Sequence, residues 1–139
     1  MKFFRRKRAP KSISKVILES RSQRIEKLCI DLWIKDQILF QVMPCSEMGE
    51  YLSSVGSSHD LGILHFFNKN KTHTTDSWEY FKDNYERLGL IFVEKPNNYH
   101  FFSKNIGSDP KNIELEIHRS IDLYERLNRD EITIRYHVY

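Results

Sequence analysis

Hydrophobic positions along this chain change their spacing several times, and each change marks an element. Ile13, Ile17, Ile25 and Leu28 recur near a 3.6-residue period around a polar Ser20/Arg21 centre. That spacing predicts a helix over 12–28, capped by Ser12 or Ser14. Ile30, Leu32 and Ile34 then alternate, Lys35-Asp36-Gln37 interrupts, and Ile38, Phe40 and Val42 alternate again. This is a hairpin ended by Pro44. Residues 46–58 suggest a short helix and a Gly/Ser loop. Ile63, Leu64, Phe66 and Phe67 crowd a buried strand within 60–70.

Trp78, Phe81, Tyr85 and Leu88 fall at i, i+3, i+7 and i+10, a single helical stripe. Asp76, with Glu79 three residues later, resembles a capping box, and Gly89 sits where a left-handed C-cap belongs. A hairpin follows, 90–95 and 99–104, turning at Pro96-Asn97-Asn98. Asp109 and Pro110 open a helix over 109–128 whose buried stripe is Ile113, Ile117, Ile121 and Tyr124. The closing strand, 131–139, presents Ile132, Ile134, Tyr136 and Val138 on one side. Thr133, Arg135, His137 and Tyr139 lie on the other.

Hairpins dominate this order. The expected fold is α+β: a mostly antiparallel sheet of about five to six strands with about three helices packed on one face. Residues 12–139 form the expected single domain, behind an arm at 1–11. Helix, three strands, helix, two strands, helix is an order that resembles the small type III secretion chaperone fold. The closing strand and the basic arm are additions to it.

Charge is partitioned. Residues 1–24 hold nine Lys or Arg against Glu19 alone, while 25–139 hold 13 basic and 18 acidic residues, a net of −5. The formal +3 of the whole chain therefore hides an acidic body behind a basic arm. Cys29 and Cys45 match no zinc motif and are too few for a disulfide scaffold, which points to reduced thiols and a cytoplasmic protein. No run approaches the roughly 18 apolar residues of a membrane span.

The motifs of common chemistries are absent: no Gly-rich phosphate loop, G-x-S-x-G, H-E-x-x-H, C-x-x-C or EF-hand loop. The six histidines lack ligand spacing, so neither a metal nor any other cofactor is expected. Arg135, His137 and Tyr139 share one face of the last strand and suggest RNA cleavage, with His100 from a nearby hairpin as a second proton-transfer group. Alternation alone also produces such a face, as the polar outer side of a terminal strand. Tyr80, Phe81 and Tyr85, or Tyr99, Phe101 and Phe102, have the spacing of core aromatics as well as of base-stacking ones.

The acids on two helices offer another surface: Asp76, Glu79, Asp83 and Glu86, and then Glu114, Glu116, Asp122 and Glu125. Solvated helix faces account for such residues, and so does a patch that steers a basic protein partner. The expected function is a non-catalytic protein-binding module. A bacterial immunity or antitoxin protein that neutralises a basic, secreted nuclease-type toxin fits this best. A small RNA-binding or RNA-cleaving protein, touching nucleic acid through 1–24, is the alternative. A chaperone-like protein or an assembly subunit is the third reading.

Overall fold

The computed structural model describes residues 12–25, 27–34, 36–51, 60–68, 78–93, 99–124 and 131–138. The arm at 1–11, the loop at 52–59, Asp76, the 96–98 turn, Glu125 and Tyr139 lie outside the described residues. The elements are α1 (Ile13–Ser22), β1 (Leu28–Ile34), β2 (Gln37–Pro44), β3 (Leu61–Asn68), α2 (Trp78–Arg87), β4 (Ile91–Val93), β5 (Tyr99–Gly107), α3 (Pro110–Asp122) and β6 (Ile132–Val138). The strands form one six-stranded sheet in the order β4-β5-β3-β2-β1-β6. Every neighbouring pair is antiparallel. The α+β class, the strand number and the three helices agree with the hydrophobic pattern.

Helix α1 begins where Ser12 accepts a hydrogen bond from the Lys15 N–H, but ends well short of residue 28. Arg24 takes a left-handed conformation, φ +60°. The Ile25 N–H then reaches back to the Ser20 carbonyl at 2.8 Å, and the Arg24 N–H to the Arg21 carbonyl at 3.0 Å. This is a Schellman stop built without glycine. Ile25 and Leu28 still join the core, one from the turn and one from the start of β1. That is how they mimicked a longer helical stripe. Gly89, φ +81°, ends α2 with the same bonding pattern, Leu90 N–H to Tyr85 carbonyl at 3.0 Å. Asp109 caps α3 by accepting from the Lys111 N–H, with Pro110 in the first turn.

β1 and β2 pair as a hairpin in which Ile34 faces Gln37. A bulge shifts its register: Leu32 pairs with Phe40, but Trp33 pairs with Ile38. Leu39 is the extra residue and is buried, while Ile38 is only half-buried, against the simple alternation. The segment after Pro44 forms two short 3-10 helices, Cys45–Glu47 and Gly49–Tyr51, where one short helix is expected.

The three helices share one face of the sheet. Ile13, Val16 and Ile17 of α1, Phe81 and Tyr85 of α2, and Ile113, Ile117 and Ile121 of α3 join strand residues such as Ile30, Leu32, Phe40, Ile63 and Phe102 in one core. Each large aliphatic buried there contributes about 1.5–3 kcal/mol relative to exposure. Inside this core His65 is fully buried, with Nδ1 3.1 Å from the Tyr124 hydroxyl and Nε2 3.0 Å from Ser120 Oγ. The Tyr124 hydroxyl continues to Tyr85 at 3.2 Å, so one polar chain ties β3 to α3 and α2.

The opposite face carries a smaller cluster of Cys29, Met43, Met48, Leu64 and Phe101, with Tyr51, Phe66 and Val93 packed against it. The 3-10 segment covers it. Ser103 Oγ donates to the Tyr51 carbonyl, and Lys27 pairs with Glu47 at 2.9 Å.

Candidate functional site

Beside that small cluster, where β1 lies between β2 and β6, polar groups converge on Asp31. Strand pairing puts them there. Cys29 faces His137, Asp31 faces Arg135 on one side and Gln41 on the other, and Trp33 faces Thr133. Period-two geometry turns all of these away from the helices, since Ile30, Leu32 and Tyr136 occupy the helix side.

Asp31 is 6% exposed and accepts three hydrogen bonds. The Cys29 thiol donates to Oδ1 at 3.3 Å and the Gln41 amide donates to the same oxygen at 2.9 Å. His137 Nε2 lies 2.9 Å from Oδ2, so that nitrogen carries a proton. The thiol, carboxylate and imidazole donor atoms all lie within 4.8 Å of one another. Arg135, directly opposite Asp31, makes no ion pair among the described residues; its guanidinium carbon sits 4.5 Å from the centroid of Trp33. Arg135 Nε and Trp33 Nε1 are buried without a hydrogen-bond partner among the described residues.

Cys29 is therefore a poor nucleophile. It is fully buried, and its thiol donates to a carboxylate. Cys45 is no better placed: burial, and then the Asp60 carboxylate, push its thiol up to about 11.

The expected RNA-cleaving constellation is broken by the sheet order. Arg135 and His137 do share a face, but β5 is separated from β6 by β3, β2 and β1, roughly 19 Å away. His100 faces Phe67 on β3 and lies on the helix side, against Phe67 and Phe92. It cannot act with His137 on one substrate. The β6 face is also not simply solvated: Thr133, Arg135 and His137 are half-buried. Of the aromatics proposed for stacking, Phe81, Tyr85, Phe101 and Phe102 are buried.

The acids divide into two sets. Glu114 faces inward to α1: its Oε2 accepts from the Ser14 N–H at 3.1 Å, supplying an acceptor to the first turn of a neighbouring helix. Glu116 is buried between Lys104 at 3.0 Å and Arg119 at 3.4 Å, and Lys104 also donates to the Leu88 carbonyl at 2.9 Å. These two carboxylates hold the fold together. Asp122 is exposed at the end of α3. Glu79, Asp83 and Glu86 are exposed on one side of α2 and form no ion pair among the described residues.

No family model, curated protein or solved structure matches the chain. The function must come from these surfaces. One more is concave: a groove of about 700 Å³ between the end of α1 and the ends of β1 and β2, lined by Ile17, Arg21, Arg24, Leu28, Asp60 and Leu61, among others. Among the described residues no helix is long and apolar enough to cross a membrane.

The spacing rules missed the Asp31 cluster. Cys29-x-Asp31 at i, i+2 on a strand was its one local signal. The third member lies 106 residues further on and is delivered only by β6 pairing with β1.

Proposed function

We propose that this protein is a non-catalytic binding module whose α2 face engages a basic protein partner. The observation that carries this reading is the row of Glu79, Asp83 and Glu86 at i, i+4 and i+7, exposed and outside any ion pair among the described residues. Three exposed carboxylates along one helix side raise the local negative potential and speed encounter with a cationic surface, at a modest desolvation cost because they are exposed. Lys82 and Arg87 flank the row and give it a polarity a partner must match. An immunity or antitoxin role, holding a basic nuclease-type toxin, is the concrete form of this reading. The separation of His100 from Arg135 and His137 weighs against the RNA-cleaving alternative.

The test is a paired capture from the native host at 50 and 500 mM salt, with the natural chain and with Glu79→Lys/Asp83→Lys/Glu86→Lys. The expected result is a basic protein that co-purifies with the natural chain, weakens in high salt and is lost with the charge-reversed chain. Identical capture by both chains, or nucleic acid as the common cargo, removes the reading.

A further inference from the structure

We infer that Cys29, Asp31 and His137 form a zinc-binding site on the outer face of the sheet, with a fourth coordination position open toward solvent. The inference is independent of the α2 surface. It rests on three ligand types, thiol, carboxylate and imidazole, brought within 4.8 Å of each other by the β1–β6 register. Zinc takes cysteine sulfur at ~2.3 Å, histidine nitrogen at ~2.0–2.1 Å and carboxylate oxygen at ~2.0–2.2 Å. Donors on a tetrahedral zinc are therefore roughly 3.3–3.7 Å apart. Two of the contacts are already close to that spacing, 3.3 Å for Cys29 Sγ to Asp31 Oδ1 and 2.9 Å for His137 Nε2 to Asp31 Oδ2, and the set as a whole, within 4.8 Å, has to draw together by about 1 Å to close on one ion.

Protons hold the space the metal would take. The thiol proton points at one carboxylate oxygen and the imidazole Nε2 proton at the other. Zinc would displace both, leaving a thiolate, a carboxylate and a neutral imidazole around a dication, a nearly neutral set suited to a buried site. The surroundings favour this exchange. Gln41 fixes the carboxylate from β2 by its amide at 2.9 Å, as residues behind metal ligands commonly do. Arg135, which as a free cation opposite Asp31 would claim the carboxylate, lies over Trp33 instead. Cys29 and Asp31 are buried, whereas the His137 side chain is 33% exposed, so entry and the open position lie on its side. The mixed soft and hard donors select zinc, and cobalt as its spectroscopic substitute, over magnesium or calcium.

Binding would staple the edge strand β6 to β1. The full chain is freed of metal with a chelator, dialysed, and titrated with zinc, followed by metal analysis and thermal unfolding, and with cobalt(II), followed by absorption. The expected result is one zinc per chain, a melting temperature that rises with zinc concentration, and a cobalt complex with sulfur-to-metal charge-transfer absorption and an intense tetrahedral visible band. Cys45→Ser retains that absorption and Cys29→Ser abolishes it. His137→Gln, at a partly exposed position that spares the fold, weakens binding at least tenfold, as does Gln41→Leu. Absence of charge-transfer absorption in the natural chain overturns the inference, as does a band that survives Cys29→Ser or vanishes with Cys45→Ser. Asp31 would then be only a hydrogen-bonded carboxylate joining two strands.

Discussion

His65 shows what burial does to a single ionisable residue. Both ring nitrogens are occupied, by Tyr124 and Ser120, and Phe40 stacks on the ring with centroids 4.6 Å apart. No carboxylate takes part in this chain, so burial alone drives the imidazole from 6.5 down to about 3. The folded state keeps His65 neutral throughout the range in which the unfolded chain takes up a proton. The contribution of His65 to stability is therefore complete above pH 6.5 and is lost as the pH drops from there toward 3. One proton is worth about 1.4 kcal/mol per pH unit across that interval. Urea unfolding at several pH values between 7.5 and 4.5 should show a steeper loss for the natural chain than for His65→Gln, the difference being close to one proton. Equal slopes would mean that the ring is protonated in the fold. The phenols of Tyr85 and Tyr124, raised by the same burial, stay neutral and do not contribute in this range.

At the scale of elements, the cover on the outer face depends on Gly62. It lies on β3 opposite Met43, and a Cβ there would collide with the Met48 sulfur and crowd Cys45. Glycine lets the 3-10 segment close down on the sheet. Gly62→Ala should cost about 1–3 kcal/mol, the usual range for overpacking. Met48→Ala in the same chain should recover part of that loss, because the collision disappears with the thioether. Additive losses in denaturant midpoints for the double variant would show that the two residues do not touch. Nothing in the residues around Gly62 announced this contact, because Met48 reaches it across a chain reversal. By contrast, Ser12, Asp109, Pro110 and Gly89 are local signals acting on their own turns, and each marked its helix end correctly. Arg24 was illegible for the converse reason: it stops α1 in a conformation that glycine usually supplies. The bulge at Leu39 and the placement of β6 beside β1 are matters of pairing between strands. The Asp31 cluster, which depends on that pairing, could be read only once the sheet order was known. Glu114 and Glu116 looked like surface acids, yet their partners lie on α1 and β5.

For the molecule as a whole, the decisive quantity is where its charge sits. Removing residues 1–11 takes away six Lys or Arg and no acid, turning the formal net charge from +3 to −3. What remains still contains Arg21 and Arg24 on the groove beside α1, but also the exposed acids of α2. A phosphate backbone gains affinity by releasing condensed counterions to clustered cations, and loses it to each fixed negative charge nearby. The shortened chain should thus pass through a cation exchanger at pH 7 and be held by an anion exchanger, the reverse of the full chain. Any retention of single-stranded RNA by the full chain should be steeply salt-dependent and should disappear with the arm. If the shortened chain still held RNA at 150 mM salt, the cationic surface would lie within 12–139. Arg21, Arg24 and Arg135 would then be the residues to replace first, and the acidic face of α2 would cease to define the partner.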